Sequence, residues 1–399
     1  MPSADGPPGV HGTVAPGFGP VREVFARNFA ERDEVGAACA VYLRGQPVVD
    51  LWGGLRDRAA GAQWEADTLV LVFSATKGLA AMAMAVAHSR GLFGLDERVA
   101  AYWPEFAQGG KDRITVRQLL AHQAGLCAID TPLRPATLHD LDALAFILAR
   151  QRPAWEPGTR HGYHALSLGF YESELLRRVD PLHRSLGVYF RDEVARPLGI
   201  EFHIGLPANV PAARLAVIEP SRPLKYLLHA DRDTWRMVRA YVRPGSLTAR
   251  AFGNPKVARA SDFDGPVFRR LEVPSAVGFG VVRDIAKAYG VFATGGRELG
   301  ISAATLRELR TLAPLPSSGR LDEVLRADTR FAFGYIKPSP PFRFGSSDAA
   351  FGTMGAGGSF AFADPDVGLG FAYAMNRMGF QVWSDPRERA LREAVYRCL

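Results

Sequence analysis

The feature that most restricts the fold is a run of small and apolar residues at 75–90, dominated by Ala, Met and Leu. Its composition predicts an α-helix that ends at Gly91, since Gly is common just beyond the last helical turn. The helix is apolar on nearly every side, which indicates that it is buried on every side. Its most apolar part, residues 78–87, is shorter than the roughly 20 residues that a bilayer-spanning helix needs. The chain must therefore surround this helix with other elements.

Strand-forming segments occur at both ends of the chain, and helix-forming segments lie between them. Short apolar runs at 37–43 and 48–52 flank a Gly- and Pro-containing turn and predict a β-hairpin. Further strands are predicted at 331–336, 358–363 and 368–375, with a short strand or extended segment at 68–73. Helices are predicted at 21–32, 116–121, 138–150, 166–178, 188–196, 282–294 and 386–397.

This order of elements predicts an α+β fold in which one antiparallel sheet, flanked by helices, is built from both chain ends. Residues 21–95 and 280–399 would form this discontinuous sheet domain. Residues 96–279 would form a mainly helical second domain, whose Pro-rich stretch at 201–275 predicts long loops over a cleft. Residues 1–20 are rich in Gly and Pro and are predicted to be a loose N-terminal arm.

Charge and cysteine content exclude several function classes. The net charge is +7, but the basic residues are scattered along the chain, so no nucleic-acid partner is expected. The three cysteines form no C-x-x-C pair, which indicates neither a disulfide framework nor a zinc site. The N-terminal stretch lacks the basic start and apolar core of a signal peptide. We therefore expect a cytoplasmic protein without membrane attachment, and the oligomeric state stays open.

Ser74 and Lys77 form an S-x-x-K pattern where the buried helix is predicted to begin. Their spacing puts both side chains on one helix face. Unpaired N–H groups at a helix start favour developing negative charge, which suits Ser74 as a nucleophile. Burial lowers the pKa of a lysine, which suits Lys77 as an acceptor of the serine proton. The alternative is that Ser74 is only an N-cap and that Lys77 extends to water.

Two other segments carry possible site residues. Tyr163 follows a Pro-Gly turn and precedes a predicted helix, so its hydroxyl would point into a cleft; the alternative is an ordinary buried aromatic residue. Residues 352–359 (GTMGAGGS) open a C-terminal strand. Glycine at this density suggests close approach of the backbone to another group, and an edge strand with free N–H groups would suit an oxyanion. A flexible hairpin loop is the alternative.

In chain order, Ser74-x-x-Lys77, Tyr163-x-Ala165 and the Gly-rich strand start at 352–358 resemble the three motifs of the penicillin-recognising serine hydrolases. Within that superfamily the pattern resembles class C β-lactamases and, most closely, the family VIII carboxylesterases. Three motifs in the family's order are far more specific than S-x-x-K alone.

Other stretches extend the resemblance over roughly residues 20–397. Residues 119–126 (LLAHQAGL) resemble the family's L-L-x-H-x-S-G-L, with Ala124 in place of Ser. Glu-Pro-Gly at 156–158 and the segment 357–365 also fit. The resemblance implies a β-lactamase/transpeptidase-like fold, in which an antiparallel sheet flanked by helices is joined by a mainly helical second domain, with the site between them.

The resemblance also implies roles for single residues. Ser74 would be the nucleophile, Lys77 and Tyr163 would handle its proton, and the N–H groups of Ser74 and Ala356 would form the oxyanion hole. Burial would lower the pKa of Lys77, and a neighbouring ammonium would lower that of Tyr163. Neither a metal nor an organic cofactor is implied. The residues expected to contact the substrate are Thr353, Met354, Gly355, Gly357 and His164.

Two positions depart from the family pattern. Ala165 stands where β-lactamases carry Asn, and Thr353 stands where the third motif normally begins with Lys or His. A cation there would hold the carboxylate of a β-lactam. Its absence favours a small-molecule carboxylic ester as substrate, cleaved through an acyl-enzyme on Ser74. An amide hydrolase and a biosynthetic transacylase share that intermediate, and a catalytically silent binding module is the alternative from another class.

Overall fold

The computed structural model of the protein describes residues 9–220 and 232–399. Its strands are β1 (Val10–Val14), β2 (Gly36–Leu43), β3 (Gln46–Asp57), β4 (Ala62–Gln63), β5 (Val70–Leu71), β6 (Phe202–Ile204), β7 (Gly278–Gly280), β8 (Phe331–Ala332), β9 (Tyr335–Ile336), β10 (Phe351–Met354), β11 (Phe360–Asp364) and β12 (Leu369–Met375). Its α-helices are α1 (Gly19–Glu31), α2 (Thr76–Ser89), α3 (Val99–Tyr102), α4 (Val116–Leu120), α5 (Pro135–His139), α6 (Leu141–Arg150), α7 (Leu168–Val179), α8 (Leu186–Phe190), α9 (Arg196–Leu198), α10 (Arg232–Val242), α11 (Leu247–Phe252), α12 (Val282–Ala293), α13 (Ala303–Arg310) and α14 (Pro386–Arg397).

The main sheet joins the two ends of the chain. Its strand order is β1-β3-β2-β12-β11-β10-β9-β8, with β4 paired to β3, and the pairings are antiparallel. At the centre, β2 and β12 pair from Ala37 opposite Met375 to Leu43 opposite Leu369. Helices α1 and α14 cover one face, and α12 and α2 cover the other. The predicted α+β fold, with one antiparallel sheet built from both chain ends, is confirmed. A small second sheet has the order β5-β7-β6.

Some predicted strand boundaries change. The loose-arm prediction is wrong for Val10–Val14, which form an edge strand paired with β3; a five-residue strand between Gly and Pro carries too short a pattern to be recognised. The arm's residues 1–8 lie outside the described part of the chain. The strand predicted at 331–336 is split into β8 and β9, because Phe333 and Gly334 adopt left-handed φ values of 49° and 82°.

Two predicted helices are interrupted. The helix predicted at 138–150 is in fact α5 followed by α6, because the Asp140 carboxylate accepts the N–H groups of Asp142 at 3.1 Å and Ala143 at 3.0 Å. A side chain that satisfies the first free N–H groups of a helix starts a new helix at that point. The helix predicted at 188–196 runs through α8, a π-helical turn at Arg191–Ala195, and α9.

Helix α2 lies at the centre of the molecule, as its composition predicts. Its residues from Thr76 to Ala87 are all buried. Strands β9 and β10 pack on one side of it, and α7 and α8 pack on the other. Small residues permit this close packing: a Cβ on Gly78 would lie 1.8 Å from the hydroxyl oxygen of Tyr289. A helix enclosed in this way holds its first turn in a fixed position relative to the sheet.

The segment predicted to be irregular, residues 201–275, lies partly outside the described residues, at 221–231. Its described part contains β6, α10 and α11. The division into a sheet domain at 21–95 and 280–399 and a helical domain at 96–279 stays a prediction. Within the described ranges, helices long and apolar enough to cross a membrane are absent.

A buried ionic network ties α14 to the Gly-rich turn between β10 and β11. The Arg387 guanidinium is 3% exposed. It donates hydrogen bonds to Glu34 at 3.1 Å and to the carboxylate of Asp385 at 2.8 and 2.9 Å. It also donates to the carbonyl oxygens of Arg377 at 2.8 Å and Gly357 at 2.9 Å. The position of the Gly-rich turn therefore depends on a side chain from the C-terminal helix.

We expect Arg387→Ala to lower the free energy of unfolding by about 3–5 kcal/mol, because it leaves two buried carboxylates without their cation. The measurement is urea denaturation followed by circular dichroism. The matched control is Arg389→Ala on the same helix, whose exposed pair with Glu393 at 2.7 Å should contribute about 1 kcal/mol or less. Equal losses in the two variants would contradict a structural role for the Arg387 network.

Candidate active site

Ser74 lies in a single 3₁₀ turn, Phe73–Ala75, that leads directly into α2. Phe73, just before it, has a φ of 49°, a left-handed conformation that costs energy in a residue with a Cβ. Such strain persists only where the surrounding packing imposes it, and both Phe73 and Ala75 are buried. The Ser74 side chain is left half-buried on the wall of a large cavity. It does not cap α2, so the N-cap alternative is excluded.

Lys77 does not reach water. Its side chain is 1% exposed, and its Nζ lies 3.2 Å from the Ser74 Oγ. The Nζ also donates to the carbonyl oxygens of Ala165 at 2.6 Å and Ser275 at 2.8 Å. Burial lowers the pKa of Lys77 to about 7, and the carboxylate of Glu172 partly opposes that shift. A substantial fraction of Lys77 is therefore an uncharged amine at neutral pH, within reach of the Ser74 proton.

Tyr163 completes the cluster. Its side chain is buried and hydrogen-bonds with that of Ser74, and the Lys77 Nζ lies 4.7 Å from its ring centroid. Burial raises the pKa of Tyr163 above that of free tyrosine, and the hydrogen bond with Ser74 opposes this only in part. The expected lowering of its pKa by a neighbouring ammonium is therefore wrong, because desolvation of the phenolate outweighs it. Tyr163 stays a protonated phenol at neutral pH.

Two residues without an assigned role hold the Tyr163 segment in place. The Asp322 carboxylate accepts the backbone N–H of Tyr163, at 3.1 Å to each oxygen. The Nδ1 of His122 accepts the N–H of His164 at 3.0 Å, and the His122 carbonyl accepts that of Gly162. His122 belongs to the stretch that resembles the family motif, so a sequence signal existed for it. Asp322 lies in an irregular segment and carried none.

The cavity beside Ser74 has a volume of about 730 Å³. Four of the predicted third-motif residues, Met354, Gly355, Ala356 and Gly357, lie on its wall with Ser74 and Tyr163. Most of the other described residues on the wall are apolar: Phe73, Leu166, Trp235, Met237, Val238, Phe252, Val257, Phe263, Leu325, Ile336, Met378, Phe380, Val382 and Trp383. Arg259 is the one charged side chain among the described lining residues. The cavity therefore suits a large, uncharged molecule.

The substrate contacts predicted for Thr353 and His164 need correction. Thr353 is 2% exposed and points away from the cavity, with its hydroxyl donating to the Ala75 carbonyl at 3.0 Å and lying 3.1 Å from the Tyr289 hydroxyl. Strand side chains alternate, so Met354 is the one that faces the cavity. His164 is fully buried, and its Nε2 accepts the N–H of Leu126 at 3.1 Å. Burial lowers the pKa of His164 to about 4, so it stays neutral and structural.

Known proteins are similar to this chain in sequence and in overall fold. "Esterase/beta-lactamase LipL" from Mycobacterium tuberculosis is 35% identical over 385 residues, which are 94% of this chain and 86% of that protein. The crystal structure of a family VIII carboxylesterase superimposes with a TM-score of 0.86 and 39% identity, over 98% of this chain and 100% of that one. A penicillin-binding protein homologue from Caulobacter crescentus superimposes with a TM-score of 0.82 and 34% identity, over 98% and 100% of the two chains.

The sequence model of the Beta-lactamase family matches residues 21–395, which is most of the chain. This match spans Ser74, Lys77, Tyr163 and the Gly-rich turn, and the solved structures above share the whole fold. The chain therefore belongs to the beta-lactamase family, as its three motifs predict.

Proposed function

We propose that the protein is a carboxylesterase-type serine hydrolase in which Ser74 forms an acyl-enzyme with the acid part of an apolar ester. The observation that carries this proposal is the buried amine of Lys77, 3.2 Å from the Ser74 Oγ, on the wall of an apolar cavity of about 730 Å³. The names of two relatives, an esterase/beta-lactamase and a family VIII carboxylesterase, support the same reaction class.

In acylation, the uncharged Lys77 takes the hydroxyl proton of Ser74 while the Oγ bonds to the carbonyl carbon of the ester. The electron pair of the carbonyl moves to its oxygen. The N–H groups of Ser74 and Ala356 stabilise this oxyanion, which suits their shared position on the cavity wall. Because the first turn of α2 is fixed by packing, these donors need little rearrangement as charge develops.

Collapse of the tetrahedral intermediate restores the carbonyl and breaks the bond to the alcohol oxygen. The departing alkoxide takes a proton from the Tyr163 phenol, which recovers one from the Lys77 ammonium. In deacylation a water molecule gives a proton to Lys77 as its oxygen attacks the acyl carbon. Breakage of the acyl–Oγ bond then returns a proton to Ser74 and releases the carboxylic acid. A protonated Tyr163 and a readily deprotonated Lys77 suit this division of roles.

The cavity supports an ester with a bulky apolar part over a β-lactam. Each methylene transferred from water to such a wall contributes about 0.8 kcal/mol. A β-lactam carries a carboxylate, which would need a buried cation or several donors. Arg259, the charged group among the described lining residues, is exposed to solvent. The alternative of a catalytically silent binding module would give the cluster of Ser74, Lys77 and Tyr163 no function.

The first expectation concerns the nucleophile. Ser74→Ala should abolish ester hydrolysis while leaving the unfolding midpoint close to that of the wild type, because Ser74 makes no capping hydrogen bond to α2. A fluorophosphonate probe should label the wild type, and mass spectrometry should place the adduct on Ser74. Thr76→Ser, two residues further along the chain, serves as a control that keeps a hydroxyl group in the first turn of α2. Residual labelling or turnover in Ser74→Ala would show that another residue is the nucleophile.

The second expectation concerns pH. Because Lys77 must be uncharged to accept the proton, kcat/KM should rise with pH through a midpoint near 7 and be lost below it. Lys77→Ala and Tyr163→Phe should each lower kcat/KM by roughly 10²–10⁴-fold. The double variant should lose much less than the product of the single losses, since the two residues act as a unit. A Tyr163→Phe enzyme with wild-type kcat would exclude the phenol from proton transfer.

The third expectation concerns the substrate. Short-chain p-nitrophenyl esters should be hydrolysed, and kcat/KM should rise at least about tenfold from the acetate to the hexanoate, given the contribution of each buried methylene. Nitrocefin should be a poor substrate. Nitrocefin turnover that matches the hexanoate would contradict an ester preference. Reactions repeated with an added acceptor alcohol separate hydrolysis from acyl transfer, since only a transacylase forms the new ester as its main product.

A further inference from the structure

Asp322, in the irregular segment between α13 and β8, holds the backbone of Tyr163 through a fully buried carboxylate. Both carboxylate oxygens lie 3.1 Å from the backbone nitrogen of Tyr163, whose N–H they accept. One oxygen also accepts the N–H groups of Val324 at 2.8 Å and Leu325 at 2.7 Å. The other oxygen accepts the Thr329 hydroxyl at 3.0 Å. A single carboxylate therefore joins the segment that carries the phenol to the segment 322–329.

This carboxylate has one orientation because donors surround it. Each of its hydrogen-bond partners among the described residues is a donor, which suits an ionised carboxylate. Burial raises the pKa of Asp322, and nearby His161 and the three backbone N–H donors oppose that rise. Because the Thr329 hydroxyl gives its proton to Asp322, the His161 Nε2, 3.0 Å from that hydroxyl, is the donor to it. The carboxylate cannot turn without losing one of these bonds.

Ring packing alone does not fix the Tyr163 hydroxyl. The ring stacks on that of Phe331, with centroids 6.2 Å apart and an angle of 13° between the planes, and its centroid lies 6.4 Å from that of Phe252. Apolar contacts of this kind are not directional and let a ring slide within its own plane. The bonds to Asp322 fix the backbone from which the ring extends, and thus the distance that the phenol covers towards Ser74.

The charge of Asp322 also favours the protonated form of Tyr163. Burial is the main reason for the raised pKa of this phenol, and the Asp322 carboxylate adds to the rise. An anion nearby disfavours the phenolate, which is an anion as well. Such a phenol gives up its proton only when a stronger base, for example an alkoxide, forms beside it.

We propose that Asp322 is a positioning residue for Tyr163 and that its carboxylate allows the enzyme to cleave esters of unactivated aliphatic alcohols. This rests on the proposed role of Tyr163 as the proton donor to the departing alcohol. In that step the carbon–oxygen bond to the alcohol breaks, its electron pair stays on the alcohol oxygen, and the phenol proton moves to that oxygen. An aliphatic alkoxide is strongly basic and needs this proton, whereas p-nitrophenolate is a stable anion that leaves without it. The position of the phenol therefore affects aliphatic esters far more than activated aryl esters.

The test is Asp322→Asn, measured as kcat/KM for ethyl hexanoate and for p-nitrophenyl hexanoate, which share one acyl group. The amide keeps the shape of the side chain and one acceptor oxygen, but its NH2 group faces the Tyr163 N–H as a donor against a donor. We expect kcat/KM for the ethyl ester to fall roughly tenfold further than that for the p-nitrophenyl ester, because a small displacement of a catalytic group is costly.

The matched control is Glu323→Gln, the same change from acid to amide at the next residue. The Glu323 carboxylate is half-buried and pairs with Arg160 at 3.3 Å and Arg326 at 2.9 Å. Its loss should leave the ratio of the two kcat/KM values unchanged, since this side chain makes no bond to Tyr163 among the described residues.

A milder second variant is Thr329→Val, which removes only the hydroxyl donor to Asp322. It should change the ratio in the same direction, and it provides the test if Asp322→Asn does not fold. Added to Tyr163→Phe, Asp322→Asn should give no further preference for the p-nitrophenyl ester, because both changes act through one phenol. Equal losses for the two esters in both variants would overturn the proposal.

A readout independent of activity uses protein labelled with carbon-13 at the tyrosine Cζ. The chain has 11 tyrosines, and the signal absent from Tyr163→Phe identifies Tyr163. Asp322→Asn should move this signal, and Glu323→Gln should not. An unmoved signal in Asp322→Asn would contradict the positioning role. A moved signal with an unchanged ratio of kcat/KM values would uphold the positioning by Asp322 and exclude Tyr163 as the proton donor.

Discussion

A lysine can be buried only where other groups replace the water around its Nζ. For Lys77 the carbonyl oxygens of Ala165 and Ser275 do so, at 2.6 and 2.8 Å, and these residues come from widely separated parts of the chain. Because Ala165 is two residues after Tyr163, the contact that holds the amine also fixes the segment that carries the phenol. The relative positions of Ser74, Lys77 and Tyr163 thus depend on a single buried arrangement around one nitrogen atom.

The sheet brings the Gly-rich turn between β10 and β11 to the cluster of Ser74, Lys77 and Tyr163. Two side chains from the C-terminal strands bond to the backbone on either side of Ser74: the Ser359 hydroxyl donates to the Val72 carbonyl at 2.8 Å, and Thr353 donates to the Ala75 carbonyl at 3.0 Å. Thr353, where the family pattern has a cation, is therefore a structural tie between β10 and the Ser74 turn. A longer side chain would meet the Tyr289 hydroxyl, 3.1 Å away. A Thr at this position therefore supplies the tie and no cation.

The sequence predicts features that depend on local patterns better than features that depend on contacts between residues far apart in the chain. Helix α2, the S-x-x-K spacing and the main strands are local patterns, and the structure contains them. Asp322 and Ser275 act through long-range contacts from irregular segments, so no periodic pattern marks them. The prediction that Thr353 contacts the substrate was wrong because side chains alternate along a strand. An offset of one residue moves a side chain from the cavity wall to the protein interior. The fall predicted for the pKa of Tyr163 was wrong because two opposing effects had to be weighed without knowing its burial.

That last error has a mechanistic consequence. Burial disfavours whichever form is charged, so the same dry environment lowers the pKa of an amine and raises that of a phenol. In this site it acts on both partners of Ser74 at once, and their pKa values shift in opposite directions. Residues separated in this way take separate roles in proton transfer. In the proposed mechanism Lys77 is therefore the acceptor and Tyr163 the donor, and two residues whose free pKa values lie close together can serve as base and acid around one hydroxyl group.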